Sequence, residues 1–369
     1  MEKAQVIVIG GGVIGISLAY GLVGQGASVI LIDRANENFT ASRGNFGLVW
    51  VQGKGLGMRR YAEWCRESTD QWPDFAAGLE EETGIPLYYH KTGGVELCVG
   101  EAELNARADF IGKMKKQSSD GRYDCKMLSQ EDIRAMIPDI GLGEGVSGGS
   151  FCPHDGIVNP LHLLRAFYRG FHQRGGKFRP GREVREITGT NAGFRIETET
   201  EVFESEKLVI ASGLATTRLS EKVGIRVPVS PQRGQVLVTE KTGHVFPFAT
   251  GRIRQNSDGS FMFGASHEDV GYDLGTSDEI MRDIVSHALT VFPSLRNLQL
   301  VRTWGSLRVL TPDKMPVYVE SEVFPGAFAV TSHSGVSLAP LHSGILPAWV
   351  LEGKVEREFE VFHPRRFYV

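Results

Sequence analysis

The feature that most constrains this chain is a glycine loop that directly follows its first apolar run. Residues 5–9 form that run, residues 10–15 read GGGVIG, and an apolar helical pattern covers residues 16–25. A second apolar run over residues 28–32 ends in Asp33. A strand, a glycine turn, a helix and a second strand make a βαβ unit, which is how a Rossmann-like α/β fold begins.

Each glycine of the loop has a separate task. Gly10 permits the tight turn out of the strand, Gly12 lets the backbone approach a pyrophosphate, and Gly15 lets the helix pack closely. The helix start offers free N–H groups and a partial positive charge to that pyrophosphate. Asp33 follows at the distance where a carboxylate accepts from the ribose hydroxyls. The loop therefore predicts a dinucleotide that contains ADP, and it leaves both NAD and FAD open.

Length and composition describe a globular protein of about two domains. The chain has 369 residues, of which 41% are hydrophobic and 23% are charged, so it can bury a large core. Its formal net charge of −4 argues against nucleic acid as a partner. The N-terminal apolar run is too short for a targeting segment, and residues 12–24 and 343–351 are too short to span a bilayer. We expect a cytoplasmic enzyme.

The four cysteines do not predict a metal site. Cys65, Cys98, Cys125 and Cys152 are far apart and lack the Cys-x-x-Cys or histidine spacing of a zinc or iron–sulfur site. We expect reduced thiols and no metal. Any onward electron transfer would then need redox groups on another chain.

Further small-residue loops suggest repeated contact with a ligand. Ser42 precedes a glycine-rich segment that suits either a second phosphate or ribityl contact or a flexible turn. Small residues end an apolar strand at 211–213, and the loop 332–340 leads into the last helix, whose positive end can face an anion.

Other elements are predicted from hydrophobic period and turn signals: a helix over 61–83, strands over 87–99, a capped short helix after Ser129, a helix from Pro160, a strand over 246–254, a hairpin turn at 257–259, a helix over 278–292 and strands over 299–310 and 327–331.

Taken together, these motifs resemble those of the D-amino-acid oxidase family, to which glycine oxidase and sarcosine oxidase belong. The matching features are GGGVIG, Asp33-Arg34, Ala41-Ser42 with Gly47, the Asp-Gly-x-x-Asn-Pro of 155–160, Ala-Ser-Gly at 211–213, Pro-x-Arg-Gly-Gln at 231–235, Leu-Arg-x-x-Thr-Pro-Asp at 307–313 and Ser-Gly-Val-Ser-Leu-Ala-Pro at 334–340. Within the family, residues 42–55 are similar to the B subunits of opine oxidases, and heteromeric D-hydroxyproline dehydrogenases are the competing subgroup.

The resemblance implies an α/β fold with a Rossmann-like FAD-binding domain of the GR2 type. The second, substrate-binding domain is α+β and built on an antiparallel sheet. We expect the FAD-binding domain to be discontinuous, over 1–85, 146–222 and 301–369, with the substrate-binding domain over 86–145 and 223–300.

The resemblance also settles the cofactor as FAD and implies its contacts. The implied cofactor-binding residues are Gly10, Gly12, Val13, Ile14, Gly15, Asp33, Arg34, Ser42, Arg43, Asn45, Phe46, Gly47, Val184, Ala211, Gly213, Arg308, Ser334, Gly335, Val336, Ser337 and Leu338. In relatives with covalent flavin, a cysteine stands at the position of Ser306 or a histidine at that of Gly44. We therefore predict non-covalent FAD.

Four residues are candidates for the substrate side. Arg308 matches the arginine that holds the substrate carboxylate in glycine oxidase, a task that suits a guanidinium fork; the alternative is an ordinary strand arginine. His333, His267 and Tyr272 are expected to polarise the amine or a second carboxylate, and a plain loop role is the alternative for the histidines.

The function that follows is oxidation of a secondary-amine amino acid, with an opine of the octopine or nopaline type as the leading candidate. A hydride leaves Cα–H for the flavin, and the imine hydrolyses to an amino acid and a keto acid. The resemblance implies a larger A subunit and a small iron–sulfur subunit as partners, with FMN and an iron–sulfur cluster on or shared with them. It leaves open association with the inner face of the membrane through those partners. The alternatives are a D-amino-acid or D-hydroxyproline dehydrogenase, a stand-alone glycine- or sarcosine-type oxidase, and a non-enzymatic flavin-binding subunit.

Overall fold

The computed structural model describes residues 1–34, 40–118, 123–190, 192–353 and 357–368. It opens with the βαβ unit that the glycine loop predicts. In the described ranges the strands, in chain order, are β1 Glu2–Ile9, β2 Val29–Ile32, β3 Leu48–Val49, β4 Gly94–Val99, β5 Lys126–Ser129, β6 Val146–Cys152, β7 Gly156–Ile157, β8 Lys177–Arg179, β9 Val184–Thr190, β10 Gly193–Thr198, β11 Val202–Ile210, β12 Ser230–Lys241, β13 Ala249–Thr250, β14 Ile253–Gln255, β15 Ser260–Phe263, β16 Leu300–Leu310, β17 Val317–Glu320 and β18 Ala327–Thr331.

The α-helices of the same ranges are α1 Val13–Gly24, α2 Arg59–Thr83, α3 Gly100–Gln117, α4 Gln130–Met136, α5 Pro160–Gln173, α6 Thr216–Glu221, α7 Asp278–Val291, α8 Ala339–Gly344 and α9 Leu346–Glu352. Short 3₁₀ turns lie at Gly213–Ala215, Pro293–Asn297, Arg357–Phe362 and Pro364–Phe367. None of the helices in the described ranges combines the length and apolar composition needed to cross a bilayer.

The main sheet has the strand order β17-β18-β11-β1-β2-β8, and β10 and β9 extend it from β11. Strands β8, β2, β1, β11 and β18 run parallel, and β17 is antiparallel to β18. The central parallel strands are mostly apolar and buried, as expected for a sheet covered on both faces. α1 lies in one core cluster with α2, α5, α8 and α9. The carboxyl ends of the parallel strands consequently meet at one edge, beside the glycine loop.

Two further sheets have four strands each. One has the order β14-β15-β12-β16 and is antiparallel throughout. The other has the order β13-β4-β6-β5, with β13 parallel to β4 and the remaining pairs antiparallel. α7 packs with both sheets in a shared apolar core. This mixed α/β architecture confirms the predicted fold class.

The segment boundaries proposed from the sequence cut across these sheets at two places. Strand β6 pairs with β4 and β5, and β16 pairs with β12. Residues 146–152 and 300–310 therefore lie with the smaller sheets, whereas β17 and β18 lie in the main sheet. The pairing follows hydrogen bonds between segments far apart in sequence, which periodicity does not report.

Several local predictions are confirmed. α4 begins with a full capping box between Ser129 and Asp132, α5 has Pro160 in its first turn with Asn159 as its cap, and α2 ends at Gly84 in the left-handed conformation. The predicted strand over 246–254 was wrong in extent, because it divides into β13 and β14. Strands over 87–99 were also predicted too long, because only β4 forms there.

Candidate functional site

A cavity of about 570 Å³ is lined by residues from all three larger sheets. Each sheet contributes at least one lining residue: the main sheet contributes Ile9 at the end of β1, and the two smaller sheets contribute Glu96 on β4 and Arg308 on β16. Of the residues implied for FAD or substrate, those that line the cavity are Gly10, Gly12, Val13, Ile14, Asp33, Arg34, Ser42, Asn45, Phe46, Val184, Ala211, Gly213, His267, Arg308, His333, Ser334, Gly335, Val336 and Ser337.

The remaining predicted residues lie elsewhere. Gly15, Arg43, Gly47 and Leu338 are outside the lining. Gly15 and Leu338 are buried behind it, where they pack the surrounding backbone, and Arg43 is exposed. Tyr272 is 69% exposed on the surface and does not reach the cavity.

The glycine loop is too closely packed to accept side chains. Gly10 has φ of +111°, and a Cβ there would stand 2.3 Å from the carbonyl oxygen of Ala211. A Cβ at Gly15 would stand 1.8 Å from the carbonyl oxygen of Gly10. Only glycine fits positions so close to neighbouring backbone. The loop therefore presents bare backbone to the cavity.

Two side chains fix the loop in place. The Asp33 carboxylate accepts the Gly11 N–H at 2.5 Å, and the Tyr168 hydroxyl donates to the Gly11 carbonyl at 2.7 Å. Burial, and next the charge of Asp33, raise the pKa of Tyr168, so the phenol stays a donor. Asp33 thus orients the loop as well as lining the cavity.

The start of α1 is suited to an anion. Ser42 Oγ accepts the Val13 N–H at 2.9 Å, and the first turn of the helix holds no acidic residue. The positive end of the helix therefore meets no carboxylate of its own first turn. Ser42 Oγ lies 3.0 Å from where a Cβ at Gly12 would be, so Ser42 and the loop share one surface.

A second backbone loop, residues 332–337, faces the same cavity. A Cβ at Gly335 would stand 2.8 Å from Val13 Cγ1 and 2.9 Å from Ile14 Cγ1, so this loop packs directly on the start of α1. Within the described residues, the amides of positions 335–337 have no hydrogen-bond acceptor. Three such donors can stabilise negative charge on a ligand carbonyl.

Side chains from α2 hold this loop rigidly. The Ser337 carbonyl accepts from Ser68 Oγ at 2.7 Å and from Trp72 Nε1 at 2.9 Å, and Tyr61 Oη lies 2.7 Å from Ser334 Oγ. These contacts are buried. The amides are therefore held in position before any ligand arrives.

Gly44 and Ser306 lie against each other in the lining. A Cβ at Gly44 would stand 2.5 Å from Ser306 Oγ. Neither residue is the histidine or the cysteine that the sequence resemblance associates with covalent flavin. The four cysteines are buried and lie outside the lining.

Arg308 is the principal charge on the substrate side. Its Nη1 donates to the carbonyl oxygens of Arg233 at 3.1 Å and Ser266 at 2.8 Å. Within the described part of the chain it makes no ion pair: the nearby Glu268 pairs with Arg233 at 2.6 Å instead. Burial lowers the pKa of Arg308, but a guanidinium still stays charged at neutral pH. The structure therefore holds a fixed cation with free donors in the cavity.

The two predicted histidines stand beside this cation. The ring of His333 is exposed to the cavity, and desolvation by the cavity walls, then the charges of Lys54 and Arg308, hold its pKa well below its usual range. Burial and the charge of Arg308 also lower the pKa of His267, whose Nδ1 lies 3.0 Å from Gln232 Oε1. Both rings are consequently neutral at neutral pH.

Sequence reasoning missed six charged residues of the lining: Lys54, Glu96, Arg182, Glu183, Arg218 and Arg252. Glu96 lies on β4 and Arg252 in the turn between β13 and β14, with no local motif around either. Lys54 belongs to residues 42–55, the stretch that is similar to the B subunits of opine oxidases. A lone lysine between Gly53 and Gly55 was the available signal.

The comparisons with known proteins identify the class. The DAO family model, described as FAD dependent oxidoreductase, matches residues 5–348. The chain belongs to this family. It is accordingly an FAD-dependent oxidoreductase that acts on the CH–NH groups of amines.

Two similar relatives over the full length of the chain are B subunits of opine oxidase. The chain is 36% identical to the B subunit of opine oxidase from Agrobacterium tumefaciens (strain Ach5), over 100% of this chain and 99% of the relative. It is 34% identical to the B subunit of opine oxidase from Rhizobium meliloti, over 100% of this chain and 98% of that relative. The glycine oxidase structure from Geobacillus kaustophilus has the same fold, with a TM-score of 0.87, 24% identity and coverage of 97% of this chain and 96% of that one.

The residues present fit FAD. The bare loop at Gly10, the acid-free start of α1 and the amides at 335–337 give separate sites for a pyrophosphate and a flavin carbonyl. Val184 and Ala211 line the same cavity as Asp33. These two apolar side chains supply a surface for an adenosine.

Proposed function

We propose that this chain is the catalytic subunit of a heteromeric opine dehydrogenase that oxidises octopine- or nopaline-type secondary amines. Support comes from the relatives, which are named as subunits of opine oxidase, and from the guanidinium of Arg308, which has no ion-pair partner among the described residues. Arg308 is partly buried, and a cation removed from water without a carboxylate partner is costly unless a ligand supplies one. The carboxylate of an amino-acid substrate fits that need.

Arg308 binds and orients the substrate. Its Nη1 is held by two carbonyl oxygens, so Nη2 and Nε remain to pair both oxygens of a carboxylate. A charge-assisted pair of this kind contributes about 1.5–3 kcal/mol. Bound FAD supplies the two-electron acceptor for the hydride of the substrate Cα–H. Orientation by Arg308 decides which C–H bond faces it.

The surroundings favour a neutral amine. The positive charges of Arg308 and Lys54 oppose a further positive charge on the substrate nitrogen. The same charges keep His333 neutral, so the amine loses its proton to solvent and the imidazole can hydrogen-bond to the neutral amine. The free electron pair on nitrogen then forms the C=N bond as the hydride leaves. Water adds to the imine and releases the amino acid and the keto acid.

We propose further that electrons leave through partner chains, a larger A subunit and a small iron–sulfur subunit that carry FMN and an iron–sulfur cluster. The described part of this chain holds no cluster of metal-ligating side chains. Oxygen consumption by the isolated chain tests this point: a dehydrogenase subunit should be nearly inert toward oxygen, and steady peroxide production would overturn the heteromeric role.

The experiment for the reaction is anaerobic mixing of the flavoprotein with octopine, nopaline, glycine, sarcosine and D-hydroxyproline. Loss of the visible flavin absorbance with an opine is the expected result, and bleaching only by another member of the panel would contradict the proposed substrate. Arg308→Lys keeps the charge but loses the fork, so KM should rise about 10- to 100-fold. Arg302→Lys, an exposed position on the same strand, is the matched control.

A further inference from the structure

Four charged side chains line the substrate part of the cavity without forming ion pairs in the described part of the chain. They are Lys54, Glu96, Arg252 and Arg308. Three are cations and one is a carboxylate. Elsewhere in the molecule neighbouring charges do pair, as Arg233 pairs with Glu268. Charges kept apart around a cavity indicate a ligand that carries the complementary charges.

Lys54 is held in place by its backbone. We call residues 50–55 the strap. The Val51 N–H donates to Asp155 Oδ1 at 2.5 Å, Gln52 Nε2 donates to Asp155 Oδ2 at 2.7 Å, and the Lys54 N–H donates to the Val51 carbonyl at 3.0 Å. The strap is therefore fixed, and Lys54 is presented from a rigid base.

Glu96 and Arg252 complete the wall around Lys54. The Glu96 carboxylate packs against Gly251, where a Cβ would stand 2.4 Å from Glu96 Oε1. Burial raises the pKa of Glu96, while the charges of Arg107, Arg252 and Lys54 lower it. Burial is also the main influence lowering the pKa of Lys54. Both groups are thus sensitive to a charged ligand.

We infer that Lys54 and Glu96, two residues of this wall, form a second recognition site. The site selects a dicarboxylic secondary amine with a cationic side chain. The inference rests on the proposed function, because Arg308 must hold the first carboxylate. Lys54 binds the second carboxylate, on the other carbon attached to the amine nitrogen. Glu96 binds the guanidinium of an arginine-derived substrate.

The charge count supports this choice over a simple amino acid. Octopine carries two carboxylates and one guanidinium besides its amine, so each of Arg308, Lys54 and Glu96 obtains a partner, while the fourth charge, Arg252, is exposed to solvent. Glycine or sarcosine offers one carboxylate and would leave Lys54 and Glu96 unpaired in a poorly hydrated wall. A site with buried polar groups rejects ligands that leave those groups unpaired.

The test crosses two variants with three substrates. The substrates are octopine, its N-(4-guanidinobutyl)alanine analogue, which keeps the carboxylate on the oxidised carbon and lacks the second one, and its norvaline analogue without the guanidinium. In Lys54→Met, kcat/KM should fall about 10- to 100-fold for octopine and by less than about threefold for N-(4-guanidinobutyl)alanine. In Glu96→Gln, the loss should appear for octopine and not for the norvaline analogue. Lys314→Gln removes an exposed positive charge near the histidines and is the charge control.

Binding without turnover provides the second measurement. The thioether analogue of octopine cannot form an imine, and its Kd follows from the change it causes in the flavin spectrum. Kd should rise by a similar factor in Lys54→Met and stay within about threefold in Lys314→Gln. Equal losses for all three substrates, or unchanged Kd in both wall variants, would overturn the inference. If wild-type protein is not reduced by octopine at all, the proposed function fails instead.

Discussion

Gly234 lies against Arg308, so that a Cβ at position 234 would stand 2.6 Å from Nη2 of the guanidinium. Gly234→Ala should therefore displace the fork without removing it. We expect kcat/KM for the amine substrate to fall at least about tenfold, mainly through KM, while FAD content is unchanged. Gly243→Ala, where a Cβ meets open space, is the matched control. Unchanged KM in Gly234→Ala would show that Arg308 does not contact the carboxylate.

FAD should be released intact when the protein is denatured. Gly44 and Ser306 offer neither the histidine nor the cysteine of covalent attachment, and the four cysteines lie outside the cavity lining. Acid precipitation should leave a colourless pellet and a yellow supernatant. Flavin fluorescence of the precipitated protein after gel electrophoresis would contradict non-covalent binding.

Asp155→Asn should weaken the strap. Asp155 Oδ2 accepts from Gln52 Nε2 at 2.7 Å, and an amide nitrogen there would set donor against donor. Gln52 cannot turn over, because its Oε1 accepts from Arg107 and Ser150. Urea unfolding at about pH 8, above the pKa of about 7 to which burial raises Asp155, should show a loss of about 1–3 kcal/mol. Asp109→Asn on an exposed position should lose almost nothing.

His342 should contribute to acid sensitivity. The ring is buried, its Nε2 lies 2.8 Å from the Tyr318 hydroxyl, and burial lowers its pKa from 6.5 to about 3. The folded state therefore binds fewer protons than the unfolded chain between these two pKa values. The resulting stability is present above about pH 6.5 and is lost as the pH falls toward about 3, by about 1.4 kcal/mol per pH unit.

His342→Gln keeps an acceptor for Tyr318 and removes this titration. Between about pH 6.5 and 4, wild-type protein should lose about 3 kcal/mol more of its free energy of unfolding than His342→Gln. Denaturant titrations at several pH values measure the difference. His244→Gln, on an exposed loop, should behave as wild type. Parallel pH curves for wild type and His342→Gln would refute the assignment.

Local chemistry made much of the fold predictable. The glycine loop, the Ser129 capping box and the proline at the start of α5 each depend on residues within a few positions of one another. The strand predicted over 246–254 failed because the Thr250 hydroxyl accepts the N–H groups of Arg252 and Ile253, which forms a side-chain turn. Residues 87–93 form an isolated bridge, between His90 and Ile157, and no longer strand, in part because Tyr88 and Gly93 have positive φ.

The site was predictable to the extent that it uses backbone. Gly10, Gly335 and their neighbours carry a recognisable pattern because close approach restricts the residue type. Lys54, Glu96 and Arg252 meet only through pairings between segments about 40 to 200 residues apart in sequence, so no local spacing reports them. Tyr272 was selected for its chemistry, and its position on the surface depends on a turn that composition does not specify.

The Trp50 N–H donates to Ser337 Oγ at 2.9 Å, and the next amide, Val51 N–H, donates to Asp155. Two successive peptide units thus join the loop that faces the flavin to the base that carries Lys54. Cofactor and substrate rest on one shared support. Binding of a dicarboxylate at Lys54 should therefore shift the reduction potential of the flavin, which a redox titration with and without the thioether analogue measures.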